Sequence, residues 1–357
     1  MHNTNMAPND TNMNITGNSS DSTETGTLST LVLTIVICEA ILMVVICCGN
    51  VLVIAAFYRN AALRTVTNFF ILHLAVADTC VGATMPFHIY IFFDRRILGN
   101  IYVCVFRYSS ITVTLTASVL FLLAIAVDRH VSIVHPLRYH VLMTQSRARI
   151  IVTAVWLSSI GFAFVIPMVW HNSWEDIPDR DCDFGKVMPW VYLAWLVPLF
   201  IINTLAILGL YGRIFYIAHE RAHRIQRYNT QPRLAFTTNL KIAKTAAIVL
   251  GLFMLCWYPF YLITAIQVYG GLIYSETWEE WRSYATILAI ANSAQNPVVY
   301  AFRMKAFRNE FKKLLRIKPS QKPNVDLERS VTTQVGDGNG RDARSALDNG
   351  ASHSEAA

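Results

Sequence analysis

Polar residues stand inside long apolar stretches of this chain, where their side chains could bind an ion. Asp78 lies in LAVAD and Asn296 in NSAQNPVVY. A carboxylate in hydrocarbon must be paired, protonated or bound to a cation. No Lys or Arg lies at a matching depth, so the sequence predicts an allosteric sodium ion on Asp78. A protonated Asp78 in a hydrogen-bond network is the alternative. The further ligands predicted for the ion are Ser118, Asn292, Ser293 and Asn296.

Patterns that indicate catalysis are missing from the sequence. An enzyme needs a convergent set of nucleophile and base, or of metal ligands. The ten His residues are scattered, and no HExxH or similar cluster occurs. His73 and His88 stand in one apolar run, where a His is more often packed than catalytic. We therefore expect that the chain is not an enzyme and needs no cofactor besides the sodium ion.

Seven apolar runs must position these polar residues. The chain is 54% apolar and 15% charged, which is too little charge for the surface of a soluble domain. A helix of roughly 20 residues crosses a hydrocarbon core, and each run is long enough. Closed barrels would show alternating segments of ~10 residues, and none occur. We predict an all-α membrane protein, a seven-transmembrane helix bundle. The runs are 29–57, 66–92, 101–134, 147–170, 187–217, 238–268 and 278–301.

Charges between the runs predict the orientation of the bundle. Basic residues such as Arg59, Arg138 and Arg221 follow the first, third and fifth runs, whereas Asp183 and Glu279 lie in the opposite loops. Lys and Arg stay on the cytoplasmic side. We expect a multi-pass protein of the plasma membrane with an extracellular N-terminus. The net charge of +7 then reflects topology, and nucleic-acid binding is not expected.

Polar segments flank the predicted bundle of residues 29–301. Residues 1–28 are rich in Asn, Ser and Thr and predict an extracellular tail. Residues 302–316 predict an amphipathic helix 8 that lies on membrane lipids, and residues 317–357 predict a disordered cytoplasmic tail. The N-terminal tail carries three glycosylation sequons, at Asn9, Asn14 and Asn18.

Two of the seven cysteines differ from the rest. Cys104 begins the third run, and Cys182 lies in the acidic loop after the fourth run. The extracellular compartment is oxidising, so a Cys104–Cys182 disulfide is the natural pairing. The others lie inside apolar runs and are predicted to be small core residues: Cys38, Cys47, Cys48, Cys80 and Cys256.

The ordered motifs of the runs resemble those of rhodopsin-like (class A) G-protein-coupled receptors. That family carries a DRY-type triplet, CWxP and NPxxY, and this chain has DRH, CWYP and NPVVY in the third, sixth and seventh runs. The resemblance covers about residues 30–316 and implies signalling to a heterotrimeric G protein. It also implies arrestin and receptor kinases as partners of the C-terminal tail. The residues implied in coupling and activation are Asp128, Arg129, His130, Leu137, Asn296, Pro297 and Tyr300.

Within that class the chain looks most like the adenosine receptors. TVTNFF, HPLRYHVLMTQSRA, CDFGKVMP and LGLFMLCWYP carry the likeness. It implies that Phe184 stacks on a purine ring. Thr264 stands where those receptors have an Asn that grips adenine, and Ile290 stands where they have a His near the ribose. The resemblance therefore implies a shared scaffold more than a shared ligand.

The ligand expected from the sequence is a small, largely neutral molecule with a flat ring, a purine or similar. Ile111 stands where aminergic receptors have an Asp, and Ile290 where opsins have a Lys. A receptor for a peptide, lipid or amine ligand is the alternative. The predicted pocket is lined by Ile111, Thr112, Leu115, Phe184, Trp257, Phe260, Tyr261, Thr264 and Thr286.

The resemblance also bears on the resting state. In many relatives the Arg at the place of Arg129 pairs with an acid at the inner end of the sixth helix, where this chain has Asn239. A hydrogen bond to an amide is weaker than an ion pair. We therefore expect measurable signalling without ligand. The alternative is that the neighbouring acid, Asp128, restrains Arg129 in the resting state.

Overall fold

The computed structural model describes residues 19–93, 95–177, 182–227, 234–272 and 276–317. Residues 1–316 form one compact unit, and the following description concerns the described part of that unit. The three glycosylation sequons and the tail after residue 317 lie outside the described residues. The predictions made for those segments stay predictions.

Seven long helices and one short final helix organise the described ranges, and these ranges contain no strand. The fourth long helix contains one wide turn, Gly161–Val165. The bounds are α1 Ser19–Arg59, α2 Val66–Phe93, α3 Ile101–Val134, α4 Gln145–Val169, α5 Trp190–Arg227, α6 Leu234–Tyr269, α7 Glu276–Arg303 and α8 Lys305–Leu314. The predicted seven-helix bundle is confirmed.

The first helix extends further than its apolar run. The first run was expected to begin at residue 29, but α1 begins at Ser19, inside the segment predicted as a tail. Apolar composition marks only the part of a helix that contacts lipid or core, and a helix continues into polar residues if no Pro stops it. No Pro occurs between residues 19 and 59.

The seventh helix is less apolar than the others. Among the described residues, six helices are long and apolar enough to span a membrane, and α7 is not one of them. It contains Arg282, Asn292, Ser293 and Asn296, each at most 7% exposed. Because α7 packs against α1, α2 and α6, the bundle shields these polar groups from lipid.

Glycines allow α1 to approach its neighbours closely. A Cβ atom added to Gly82 of α2 would lie 2.5 Å from Cys47 Sγ of α1. A Cβ atom added to Gly49 of α1 would lie 3.0 Å from Pro297 Cγ of α7. Small residues at such contacts let helices in membranes pack with their backbones close together.

The two ends of the bundle can be named by residues of α3, the Cys104 end and the Arg129 end. At the Cys104 end the loop between α4 and α5 folds over the helices, and its short helix Phe184–Val187 is capped by Asp183. Phe184, Val187 and Met188 are buried there with Cys104 and Val105. At the Arg129 end, α8 buries Phe307, Glu310 and Phe311 against the bundle.

The predicted Cys104–Cys182 disulfide is present, with its Cα atoms 5.8 Å apart. The Tyr108 hydroxyl also donates to the Cys182 carbonyl at 2.9 Å. These two links hold the residue two positions later, Phe184, over the Cys104 end.

Breaking this disulfide should destabilise the helical bundle. We expect Cys104→Ser and Cys182→Ser each to lower the free energy of unfolding by about 2–5 kcal/mol, seen as a lower melting temperature of the purified protein. The matched control is Cys48→Ser, since Cys48 is a free, exposed cysteine. Equal melting temperatures for all three variants and the wild type would contradict a stabilising role.

Candidate functional site

A buried carboxylate joins three helices at the middle of the bundle. Asp78 of α2 is 0% exposed. Its Oδ1 atom accepts from the hydroxyls of Ser118 and Ser293, each at 2.8 Å. Its Oδ2 atom accepts from the amide of Asn296 at 2.7 Å. Hydrogen-bond donors of this kind stabilise the charged form of a carboxylate. Three of the residues predicted as ion ligands thus lie around Asp78.

Two further polar residues near Asp78, Asn292 and Asn50, do not donate to its carboxylate among the described contacts. Asn292 is buried next to Ser293 but is not one of the Asp78 donors that the structure describes. Asn50 of α1 donates to the Ile46 carbonyl at 3.0 Å and to the Ser293 carbonyl at 2.9 Å. Through Asn50 the first helix joins the network of α2, α3 and α7.

A second buried carboxylate lies at the Arg129 end. Asp128 is 0% exposed and forms an ion pair with Arg129. It also accepts from the Thr67 hydroxyl at 2.7 Å and from the Tyr139 hydroxyl at 2.8 Å. Burial, and then the charge of Asp128, raises the pKa of Tyr139 to about 12, so this phenol stays protonated and remains a donor. Asp128 thus holds Arg129 within α3 and ties α2 and the following loop to it.

Other residues predicted for G-protein coupling make no described contact with the Asp128–Arg129 ion pair. Leu137 is 90% exposed in the loop after α3. His130 does not take part in the Asp128 hydrogen bonds that the structure describes. The side chain of Asn239 lies outside the described part of the chain. Tyr300, at the end of NPVVY, is buried, with its ring centroid 5.8 Å from that of Phe307 in α8.

A cavity of about 20 Å³ lies between the helices at the Arg129 end. It is large enough for about one water molecule. The cavity is lined by Thr67, Ile71, Leu122, Ile125, Ile207, Tyr211, Thr245, Val249, Leu250, Tyr300 and Met304.

The aromatic residues predicted for the ligand pocket come together toward the Cys104 end. Phe184 belongs to a cluster that Phe260 and Tyr261 of α6 pack against. The Phe184 ring centroid is 5.4 Å from that of Tyr108. The Trp257 centroid lies 6.0 Å from that of Phe260 and 5.8 Å from that of Tyr261. These rings can hold a flat ligand by stacking and edge contacts.

The aliphatic residues predicted for the same pocket pack in a second cluster. Ile111 and Ile290 pack in a separate cluster with Ile46, Val81 and Met85, between α1, α2, α3 and α7. Leu115 packs against this cluster and also against the main core. Leu115 thus connects the aliphatic residues of the predicted pocket with the core cluster that contains Trp257.

The three threonines of the predicted pocket share one hydrogen-bond pattern. Thr112 donates to the Tyr108 carbonyl at 2.7 Å, Thr264 to the Phe260 carbonyl at 2.8 Å, and Thr286 to the Arg282 carbonyl at 2.8 Å. Each hydroxyl proton is thus used inside its own helix. The oxygens keep lone pairs, so these residues can only accept hydrogen bonds from a ligand.

Sequence reasoning missed two polar residues of this region. Arg282, one turn before Thr286 on α7, forms an ion pair with Asp183, and its guanidinium carbon lies 5.9 Å from the Phe184 ring centroid. Gln267, three residues after Thr264 on α6, is 4% exposed. The helical spacing from Thr264 and Thr286 was the signal that could have identified both.

Together, the helical bundle, the aromatic cluster and the buried acids define a multi-pass membrane receptor. The family model described as "7 transmembrane receptor (rhodopsin family)" matches residues 49–300. The chain therefore belongs to the rhodopsin family of seven-transmembrane receptors and is a G-protein-coupled receptor.

Several curated relatives are similar over most of their length. Adenosine receptor A2b of Gallus gallus is 32% identical over 293 residues, which cover 75% of this chain and 84% of that receptor. Adenosine receptor A2a of Canis lupus familiaris is 33% identical over 294 residues, covering 75% of this chain and 68% of that receptor. Human adenosine receptor A2b is 31% identical over 291 residues, with 75% and 85% covered. The predicted resemblance to adenosine receptors is confirmed.

The Asp128–Arg129 pair should restrain ligand-independent signalling. We expect Asp128→Asn to raise nucleotide exchange on G protein without agonist, roughly tenfold, since hydrogen bonds to charged groups are worth about 1.5–3 kcal/mol. Tyr139→Phe, the matched control, keeps the ion pair and should change basal exchange much less. An Asp128→Asn receptor at equal surface density with unchanged or lower basal exchange would refute this restraint.

Proposed function

We propose that this receptor works in the plasma membrane, with the Cys104 end outside the cell and the Arg129 end in the cytosol. The basic loops and the disulfide both support this orientation. The observation that carries the proposal is the disulfide-tethered aromatic cluster at one end and the buried Asp128–Arg129 pair at the other. A small ligand binds at the first, and a heterotrimeric G protein is engaged at the second.

The signal passes between the two ends through α6 and α7. Pro259 lies inside α6 and removes one backbone hydrogen bond, which makes this helix easier to bend. Trp257 packs between Phe253 and Phe260, with centroids 5.9 and 6.0 Å away. The Gln295 amide of α7 donates to Cys256 Sγ at 3.0 Å. A ligand that favours one packing of these side chains shifts the population of the bundle, and the chain itself catalyses nothing.

The ligand that this pocket supports best is a small molecule with a flat ring, a purine or similar. Phe184, Phe260 and Tyr261 supply the stacking surfaces. The similar receptors from chicken, dog and human are named as adenosine receptors. No described contact favours a peptide, lipid or amine ligand over this choice.

A sodium ion at Asp78 is a second element of the proposed mechanism. The Asp78 carboxylate and the hydroxyls of Ser118 and Ser293 offer the oxygen ligands that hard cations take, so these residues fit, while Asn296 directs its amide N–H group to Asp78. The bound ion would supply a positive charge opposite Asp78. It would thereby favour the packing in which α2, α3 and α7 stay together.

The final helix and the tail define further proposed contacts. In α8 the buried Phe307 and Phe311 face the bundle, while Lys312 and Lys313 lie in the last turn. Such a basic amphipathic helix suits the anionic inner leaflet. Arrestin and receptor kinases are the proposed partners of the tail after residue 317.

The purine proposal can be tested at Thr264. Its hydroxyl can only accept, so it cannot reproduce the paired donor and acceptor of an Asn amide. We expect Thr264→Asn to increase the potency of adenosine, read as cAMP and calcium responses, by roughly tenfold to a hundredfold. Thr264→Val, which has the same shape but no hydroxyl, should not increase it. Silence of the wild type together with no gain in Thr264→Asn would remove adenosine from consideration.

The ion proposal can be tested at Asp78. Raising sodium at constant ionic strength should weaken agonist binding in the wild type, and Asp78→Asn should abolish that dependence. Thr79→Val is the matched control, because the Thr79 hydroxyl donates to the Ala75 carbonyl and lies outside the Asp78 network. If Asp78→Asn keeps the full sodium dependence, the ion binds elsewhere or not at all.

A further inference from the structure

Arg282 is a buried cation beside the aromatic cluster. It is 7% exposed, and its guanidinium carbon lies 5.9 Å from the Phe184 ring centroid. Thr286, one turn further along α7, donates to the Arg282 carbonyl. A flat ring that packs on Phe184 therefore lies within reach of the guanidinium donors.

The donors of Arg282 are only partly used. A guanidinium has five N–H donors in a rigid, planar arrangement. One of its terminal nitrogens, Nη2, pairs with Asp183 Oδ2, while Asp183 Oδ1 accepts from the Gly185 amide at 2.8 Å. The Nε–H group is buried and finds no acceptor among the described residues. Buried donors without acceptors are unfavourable, so this site is suited to a ligand that brings an acceptor.

A second unmatched donor lies on α6. The Nε2 atom of Gln267 is buried and, within the described ranges, has no hydrogen-bond partner. Gln267 follows Thr264 by three residues, so the two share one helix face. The unmatched groups that α6 and α7 present here are thus donors, whereas Thr264 and Thr286 can accept.

This pattern distinguishes between the two common purine edges. Adenine presents the N6 amino donor next to the N7 acceptor, whereas a 6-oxopurine presents two adjacent acceptors, O6 and N7. Arginine pairs in a bidentate manner with O6 and N7, whereas the adenine edge also needs an acceptor for its N6 amino group. A 6-oxopurine also carries an N1–H donor, which a threonine oxygen can accept.

We propose that the pocket prefers 6-oxopurine nucleosides over adenosine and that Arg282 determines this specificity. The inference rests on the proposed purine-binding function and names the ring edge that the pocket reads. Asp183 orients the guanidinium from the loop, and Arg282 presents its remaining donors to a ring stacked on Phe184.

The test compares inosine with adenosine, which differ at position 6 of the ring and in the N1 proton. Potency ratios from cAMP and calcium responses are measured in the wild type, Arg282→Gln and Arg282→Lys. The wild type should favour inosine by roughly tenfold or more. Arg282→Gln should move the ratio toward adenosine. Arg282→Lys keeps a cation for Asp183 but loses the planar donor pair, so it should reduce the inosine preference without reversing it.

A purely structural role of the ion pair predicts a different pattern. If Arg282 only holds the loop, Asp183→Asn and Arg282→Gln must change both potencies by the same factor and leave the ratio constant. If Arg282 reads the ring, Asp183→Asn keeps the inosine preference while Arg282→Gln loses it. Both nucleosides are assayed on the same cells, so that the number of receptors affects both potencies equally. The surface expression of each variant is measured in parallel.

The outcomes separate this inference from the function on which it rests. An adenosine preference in the wild type, with the ratio unmoved in Arg282→Gln, overturns the assignment of Arg282 but leaves a purine receptor. Silence toward both nucleosides in the wild type and in all variants overturns purine binding and the assignment together.

Discussion

A carboxylate buried in a membrane-spanning bundle must be surrounded by donors, and Asp78 imposes this requirement on the whole structure. Its oxygens are met by Ser118 of α3 and by Ser293 and Asn296 of α7. These contacts tie α2 to the next helix, α3, and to the distant α7, and Asn50 joins α1 to the same network. Because the alternative is an unsatisfied charge in low dielectric, the relative positions of these helices are narrowly constrained. The two functional ends are built on this common centre.

An acid is also paired at each end of the bundle, in both cases with an arginine. Asp128 holds Arg129 at one end, and Asp183 holds Arg282 at the other. Each acid also accepts from a neighbouring segment, Tyr139 of the loop after α3 and the Gly185 amide. Breaking a buried ion pair leaves an uncompensated charge, so each pair favours a small number of discrete arrangements over continuous deformation. That property suits a protein that changes between packings when a ligand binds.

The sequence predicted the helices and the disulfide because both depend on strong patterns, long apolar runs and an isolated pair of cysteines. The start of α1 at Ser19 was missed because polar residues continue a helix without an apolar signal. The Asp183–Arg282 pair was missed because it joins residues 99 positions apart, and many loop acids face water. Ile111, predicted to line the ligand pocket, packs in a cluster with Ile46 and Met85, and spacing along α3 alone does not show which neighbouring helix its side chain contacts.

The helix contacts and the polar residues at the Cys104 end differ in how strongly the fold constrains them. The helix contacts around Asp78 require particular residue types at fixed places in α1, α2, α3 and α7. The polar residues at the Cys104 end, where the ligand site is proposed, can change without disturbing the Asp78 centre. A chain about a third identical to adenosine receptors can therefore keep their architecture. The Thr264 hydroxyl already donates to the Phe260 carbonyl, whereas Arg282 of α7 lies beside Phe184 with a buried donor that has no acceptor among the described residues; in the proposed pocket, polar recognition therefore depends more on α7 than on α6.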